Sequence, residues 1–301
     1  MELQLQKGGN KNMKNEIAQR SLTSNQKFMV FILSMTMFGL ADLVTQIIPE
    51  FSIGFIEIRV PYFAFIAVTL AILFDPLSVG LGAAFGSVIF GGLLMGNFGG
   101  IGEIEGFIQL SMAIFIGGMV VSDPMNKKQV FLAACLTVGI DKFIGGLADI
   151  AKVLIGVAEL EPVKGLAESV FIIQGVEFLN DFVLAGILFG AIPAIYLVPK
   201  LYGKIEPLLG MKPRIEKPEI DWSKVLNFKV ILGGLVLSLI SLGAAILDEL
   251  DLNLVDFEFE FENLLGGNYI YVAIVISAVV LIGIWSHYTK KAKLKNIIME
   301  D

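Results

Sequence analysis

Ionisable and amide side chains stand inside stretches of this chain that are otherwise apolar. A charged side chain at the centre of a bilayer costs roughly 2.5–3.5 kcal/mol on insertion scales, so each one is expected to make a contact that offsets this cost. One group falls towards the outer ends of its stretches, where it could line a pocket open to the outside. We interpret it as a substrate-contacting set: Asp42, Gln46, Asp149, Lys152, Gln174 and Glu177.

A second polar group, Asp141, Lys142 and Asp181, is expected near the middle of the membrane. Lys142 and Asp181 could form a structural ion pair. The same carboxylates could instead carry the proton or sodium ion of an ion-coupled secondary transporter. The residues around Asp141 and Asp181 lack the Gly-x-Gly-Asp signature of an intramembrane aspartyl protease, which disfavours that class.

The polar groups are carried by eight apolar stretches, each near the ~20 residues that cross a bilayer as a helix. Apolar residues make up 55% of the 301-residue chain, and the mean hydropathy is +0.78, above the range of soluble domains. The sequence therefore predicts an all-α polytopic membrane protein. The stretches are 28–48, 59–74, 77–96, 106–122, 129–155, 168–198, 229–247 and 269–288.

Basic residues are distributed unequally between the two sides of this eight-helix topology. Eighteen of the 22 Lys and Arg residues fall on one side, whereas the loops on the other side hold only Arg59 and Lys164. Lys and Arg accumulate in cytoplasmic loops of membrane proteins. We therefore expect both termini in the cytoplasm and the protein in a bacterial or archaeal plasma membrane.

The chain is predicted to divide into a core and a terminal hairpin, because a Pro-rich charged segment separates its sixth and seventh apolar stretches. The acidic outer loop of the hairpin alternates Phe and Glu, which fits a short strand, a lid or a solvated loop. The predicted parts are a cytoplasmic tail (1–27), a six-helix substrate-binding core (28–205), a cytoplasmic linker (206–228), a transmembrane hairpin (229–288) and a second cytoplasmic tail (289–301).

Two pairs of glycines lie four residues apart within predicted helices. Gly82 and Gly86 are in the third stretch, and Gly186 and Gly190 are in the sixth. Such spacing allows helices to approach closely. It is compatible with packing inside the chain and with docking onto a separate membrane subunit.

Several activities find no support in the sequence. One cysteine and one histidine provide neither an internal disulfide nor a His/Cys zinc site, and we expect no metal and no cofactor. The chain has no Gly-xxxx-Gly-Lys-Ser/Thr loop, so it is not expected to hydrolyse ATP. Its acidic balance and apolar composition give no reason to expect a nucleic-acid partner, and we expect no enzymatic activity.

The order of several short motifs resembles the substrate-binding S component of energy-coupling-factor vitamin transporters. They are Arg-Val-Pro at 59–61, the Asp-Pro turn at 75–76 before a glycine-rich stretch, the Gly-rich loop 96–103 and the long last core helix 180–200. The resemblance covers about residues 28–205. It implies a six-helix core that binds a small vitamin or related micronutrient from outside. It also implies two partner ATPases and a transmembrane coupling protein that supply the energy for transport.

Overall fold

The computed structural model describes residues 22–250, apart from 49–50, 54–55, 97, 161–162, 164–166, 214–219 and 221. The predicted tails before residue 22 and after 289, the Phe/Glu loop and the eighth apolar stretch lie outside the described residues. Within the described part the elements are α1 Ser24–Ile47, β1 Phe51–Ile53, β2 Ile56–Ile58, α2 Ala64–Leu73, α3 Pro76–Gly86, α4 Gly102–Val120, α5 Lys127–Leu154, α6 Val170–Asp181, α7 Ile192–Leu201, α8 Trp222–Val225 and α9 Phe228–Glu249.

Two of these helices continue as π-helix without a break. Ser87–Leu93 extends α3, and Phe182–Ala191 joins α6 to α7 into one 32-residue span. A short 3₁₀ turn, Pro207–Leu209, follows α7. Strands β1 and β2 form one antiparallel hairpin between α1 and α2, so the predicted all-α class holds for the bundle but not for this loop.

Six helical spans in the described part are long and apolar enough to cross a membrane, as expected of a multi-pass membrane protein. Helix α2 has only 10 residues, because the beginning of the stretch predicted at 59–74 is not helical. It is apolar on all sides, and it lies in the centre of the bundle against α3, α4, α5 and α7.

Helix α1 begins at Ser24, four residues before the predicted start at 28. The reason is a capping box. The backbone N–H of Gln26 donates to Thr23 Oγ1 at 3.3 Å, and the N–H of Thr23 donates to Gln26 Oε1 at 3.0 Å. The end of the predicted polar tail is thus part of the first helix.

The four glycines offered for subunit docking are all buried within the chain. A Cβ on Gly82 would collide with Ser34 Oγ and the carbonyl oxygen of Phe31, and one on Gly86 would collide with a carbonyl of the same helix α1. A Cβ on Gly186 would lie 3.4 Å from the Val138 Cβ, and one on Gly190 would collide with a backbone carbonyl of its own span. The docking prediction is therefore corrected, because these positions are used for close packing inside the bundle.

Candidate functional site

A cavity of about 400 Å³ lies at one end of the bundle. It is enclosed by the C-terminal halves of α1 and α5, the end of α3 with its π-helical extension and the N-terminal half of α4. Residues 174–181 of α6 and the segment before α2 complete the wall. Gly106, Gly145 and Gly146 are part of its wall, and their missing side chains leave room inside. Its volume falls in the range of small-molecule sites, about 300–1,000 Å³.

Most of the residues predicted to contact substrate line this cavity. Asp42 and Gln46 come from α1, Asp149 from α5, and Gln174 and Glu177 from α6. They meet because the antiparallel course of the helices brings the end of α1 and of α5 to the same level as the beginning of α6.

Lys152 is the exception, since it is not among the cavity-lining residues. Its Nζ lies 2.8 Å from Asp149 Oδ1, and it lies 3.9 Å from a carboxylate oxygen of Glu105 and of Glu249. The long Lys side chain thus joins α5 to α4 and to the terminal helix α9. In the structure it links helices beside the cavity, and its role as a substrate contact stays a prediction.

The group predicted at the middle of the membrane lines the same cavity as the shallower group. Lys142 Nζ lies 3.6 Å from Asp141 Oδ2 and 3.6 Å from Asp181 Oδ2. Arg59 Nε lies 3.8 Å from Asp181 Oδ1, and the Tyr62 hydroxyl donates to Asp141 Oδ2 at 2.8 Å. The expected separation into a shallow pocket and a deeper structural group is therefore not found.

This deep charged cluster is loosely connected. Its three ion-pair distances exceed the 2.7–3.2 Å range of an N–H···O hydrogen bond. Asp181 is 4% exposed, yet its Oδ1 has no hydrogen-bond partner among the described residues. A buried carboxylate oxygen with unused acceptor capacity at a cavity wall is a position where a ligand group or water can bind.

Two further carboxylates, Asp42 of α1 and Glu103 of α4, lie against the π-helical extension of α3. Ser87 Oγ donates to Asp42 Oδ2 at 2.5 Å. A Cβ on Gly91 would lie 2.8 Å from Asp42 Oδ2, and one on the adjacent Gly92 would lie 3.2 Å from Glu103 Oε1. Both carboxylates can approach this backbone so closely because the two positions have no side chain. π-Helical turns within α-helices are frequent at functional sites.

Buried Gln109 connects the cavity wall to the terminal helix. Its Nε2 donates to Glu105 Oε1 at 2.9 Å and to Ser241 Oγ of α9 at 3.1 Å. The N–H of Gly102 donates to Asp248 Oδ1 at 3.1 Å, also on α9. Helix α9 is therefore attached by polar contacts to the end of the bundle that holds the cavity.

Five polar residues that line the cavity are not among the site residues predicted from the sequence. A hydroxyl or amide in an apolar stretch gives little signal, because it can bond to its own helix. The two charged ones were assigned to loops. These residues are Arg59, Tyr62, Ser87, Glu103 and Gln109.

Residues 29–296 match a family described as a family of unknown function, DUF8171. The chain belongs to this family. No curated protein and no solved structure matches the chain. The matched region of this DUF8171 protein contains every residue that lines the cavity.

The cavity of the DUF8171 protein is acidic. Its lining includes two basic side chains, Arg59 and Lys142, against six carboxylates. The excess of four negative charges favours a neutral or cationic occupant over an anion. The carboxylates are Asp42, Glu103, Asp141, Asp149, Glu177 and Asp181.

Proposed function

We propose that the protein is the substrate-capture subunit of an importer of the energy-coupling-factor type. It binds a small water-soluble vitamin or related micronutrient and has no catalytic step of its own. The observation that carries this proposal is the polar cavity of about 400 Å³ enclosed by five helical spans. An enclosed site with a few converging polar groups is the usual form of a small-molecule site.

The positions of basic residues indicate the side of the membrane from which the compound is captured. Lys127 and Lys128 begin α5, and Lys200 is near the end of α7, so all three lie at the end of the bundle opposite to the cavity. Under the positive-inside rule that end is cytoplasmic and the cavity opens to the outside. Together with the predicted eighth span, which lies outside the described residues, this orientation corresponds to a plasma-membrane protein with both termini in the cytoplasm.

We assign the release of the bound compound into the cell to partner subunits. Two ATPase subunits hydrolyse ATP, and a transmembrane coupling protein uses this energy to drive the captured compound inward. This division of labour predicts that the isolated chain binds its compound and does not accumulate it in vesicles.

Reconstitution tests this division directly. Native mass spectrometry of the purified protein identifies the compound retained through purification, and a radiolabelled form is then offered to liposomes that contain only this chain. We expect saturable binding without accumulation. Concentrative uptake by the chain alone contradicts the proposal.

An ion-coupled secondary transporter is the second candidate, and the deep cluster favours it. Asp141 and Asp181 share Lys142 between them at 3.6 Å on each side, and both line the cavity. Protonation of either carboxylate would weaken its attraction to the Lys142 ammonium, which couples a proton to the cavity wall. This candidate predicts uptake by the chain alone that follows an imposed proton gradient.

A further inference from the structure

Two cavity carboxylates, Asp42 and Glu103, have no cationic side chain paired with them in the described part of the chain. Asp141 and Asp181 face Lys142, and Asp149 pairs with Lys152. Asp42 and Glu103 lack such an ion pair, and each accepts a hydrogen bond.

Asp42 and Glu103 both line the cavity and both lie against the π-helical extension of α3. Asp42 is 7% exposed and accepts a hydrogen bond from Ser87, whereas Glu103 accepts one from the N–H of Gly99 at 3.2 Å. Their carboxylates lie against the adjacent residues Gly91 and Gly92. Hydrogen bonds from neutral donors leave both carboxylates without an ion-pair partner in the described part of the chain. For buried Asp42 in particular, a carboxylate in this state is costly until a cation approaches it.

The deep end of the cavity offers a different set of partners. Asp181 Oδ1 is buried without a hydrogen bond among the described residues, and Arg59 Nε lies 3.8 Å from it. Lys142 Nζ lies 3.6 Å from its carboxylate partners, so its donors are not committed to short hydrogen bonds. This end can therefore pair with a group that both donates and accepts, such as an amide or a hydroxyl.

Aromatic side chains complete the lining. Tyr62, Phe107 and Phe178 contribute to the wall, and Lys142 Nζ already lies 5.2 Å from the centre of the Tyr62 ring. Aromatic faces attract cations and also bind flat apolar rings. The wall thus suits a compact molecule with a planar body.

We infer that the cavity takes a compact organic cation, with a protonated amine or amidine held by Asp42 and Glu103 and a polar edge directed to Asp181 and Lys142. This inference rests on the proposed function and deepens it by naming the class of substrate.

Three probes of nearly equal shape separate charge from size. Benzamidinium carries a positive charge, benzamide is neutral and benzoate is negative. Each is titrated against the full-length protein in lipid nanodiscs, and binding is followed by the melting temperature and by ligand-observed NMR. We expect benzamidinium to bind about tenfold more tightly than benzamide, equivalent to ~1.4 kcal/mol, and benzoate to bind most weakly.

Matched variants locate the preference in the cavity. Asp42→Asn and Glu103→Gln each remove one negative charge and keep an acceptor for the local hydrogen bond. Each should reduce the preference for benzamidinium over benzamide severalfold. Glu159→Gln removes one charge at an exposed position that does not line the cavity, so it should leave the preference unchanged.

The outcomes distinguish this inference from the proposed function. The cationic class is overturned if the three probes bind equally, if benzoate is preferred or if none of the probes binds. It is also overturned if the preference for benzamidinium is unchanged in both Asp42→Asn and Glu103→Gln. Gly106→Leu adds a side chain to the cavity wall. If it removes binding of the neutral or the anionic probe, that probe binds in the cavity; the proposed capture site then stands, although the cationic class is wrong. Probe binding that persists in Gly106→Leu at wild-type affinity counts against both.

Discussion

Two glycine-to-alanine substitutions should change stability in opposite directions, although both lie within helices. Gly82 is buried against α1, and a Cβ there would collide with Ser34 Oγ and with the backbone carbonyl of Phe31. The carbonyl cannot rotate away as a side chain can. We expect Gly82→Ala to destabilise the protein by about 1–3 kcal/mol, the usual cost of overpacking.

Gly106 provides the matched control, because it is exposed in α4 and a Cβ there would meet no atom within 4 Å. Alanine at this position removes only the conformational freedom of glycine in the unfolded chain. We expect Gly106→Ala to stabilise the protein by about 0.5–1 kcal/mol. The two variants should therefore differ by about 1.5–4 kcal/mol, the sum of the two ranges.

Unfolding by sodium dodecyl sulfate in mixed micelles, followed by far-ultraviolet circular dichroism, measures this difference. Equal stability of the two variants would refute the close contact between α1 and α3. If Gly82→Ala also retained full stability while losing a co-purifying membrane subunit, the docking interpretation of this glycine would be restored.

Two further predictions concern orientation and the deep cluster. In a background without the native cysteine, Glu159→Cys should react with an impermeant thiol reagent added to intact cells and Lys204→Cys should not; the reverse pattern would invert the topology. Tyr62→Phe should lower the free energy of unfolding by about 1–3 kcal/mol, because Asp141 loses a buried hydrogen bond of 2.8 Å. Tyr196→Phe, at a position 63% exposed, should change it by less in the same denaturation assay, and equal effects would contradict the role given to Tyr62.

Hydropathy predicted the helices well, because a span must satisfy its backbone internally and must be apolar over about 20 residues. Seven of the eight predicted stretches coincide with described helices. The start of α1 was missed because its signal is local and polar. Thr23 and Gln26 form a capping box inside a segment that composition alone assigned to the tail.

The cavity could be anticipated in part because charges inside apolar helices need partners. Asp42, Asp149 and Glu177 are such charges, and all three line the cavity. It could not find Ser87, since a hydroxyl within a helix is usually satisfied by its own backbone. Thr137 shows this alternative, as its Oγ1 donates to Ala133 O at 2.9 Å.

The remaining site predictions were limited because they did not include the direction in which each side chain points around its helix axis. Asp149 and Lys152 are one turn apart on α5, and only the longer side chain extends past the cavity to α9. The predicted depth in the membrane also could not separate the substrate-contacting group from the group at the middle of the membrane. Asp141 and Asp149 differ by about 12 Å along the helix at 1.5 Å per residue, and one elongated cavity includes both.

Occupancy of the cavity by a small molecule is measured most directly by native mass spectrometry of three purified forms of the protein. Gly106→Leu places a side chain in the cavity, whereas Gly175→Leu adds the same side chain at an exposed helical position with no atom within 4 Å of its Cβ and outside the cavity lining. The account predicts a retained compound in the wild type and in Gly175→Leu, and its loss in Gly106→Leu with the fold intact. Equal retention in Gly106→Leu, or no retained compound in any of the three, would contradict a capture site in this cavity.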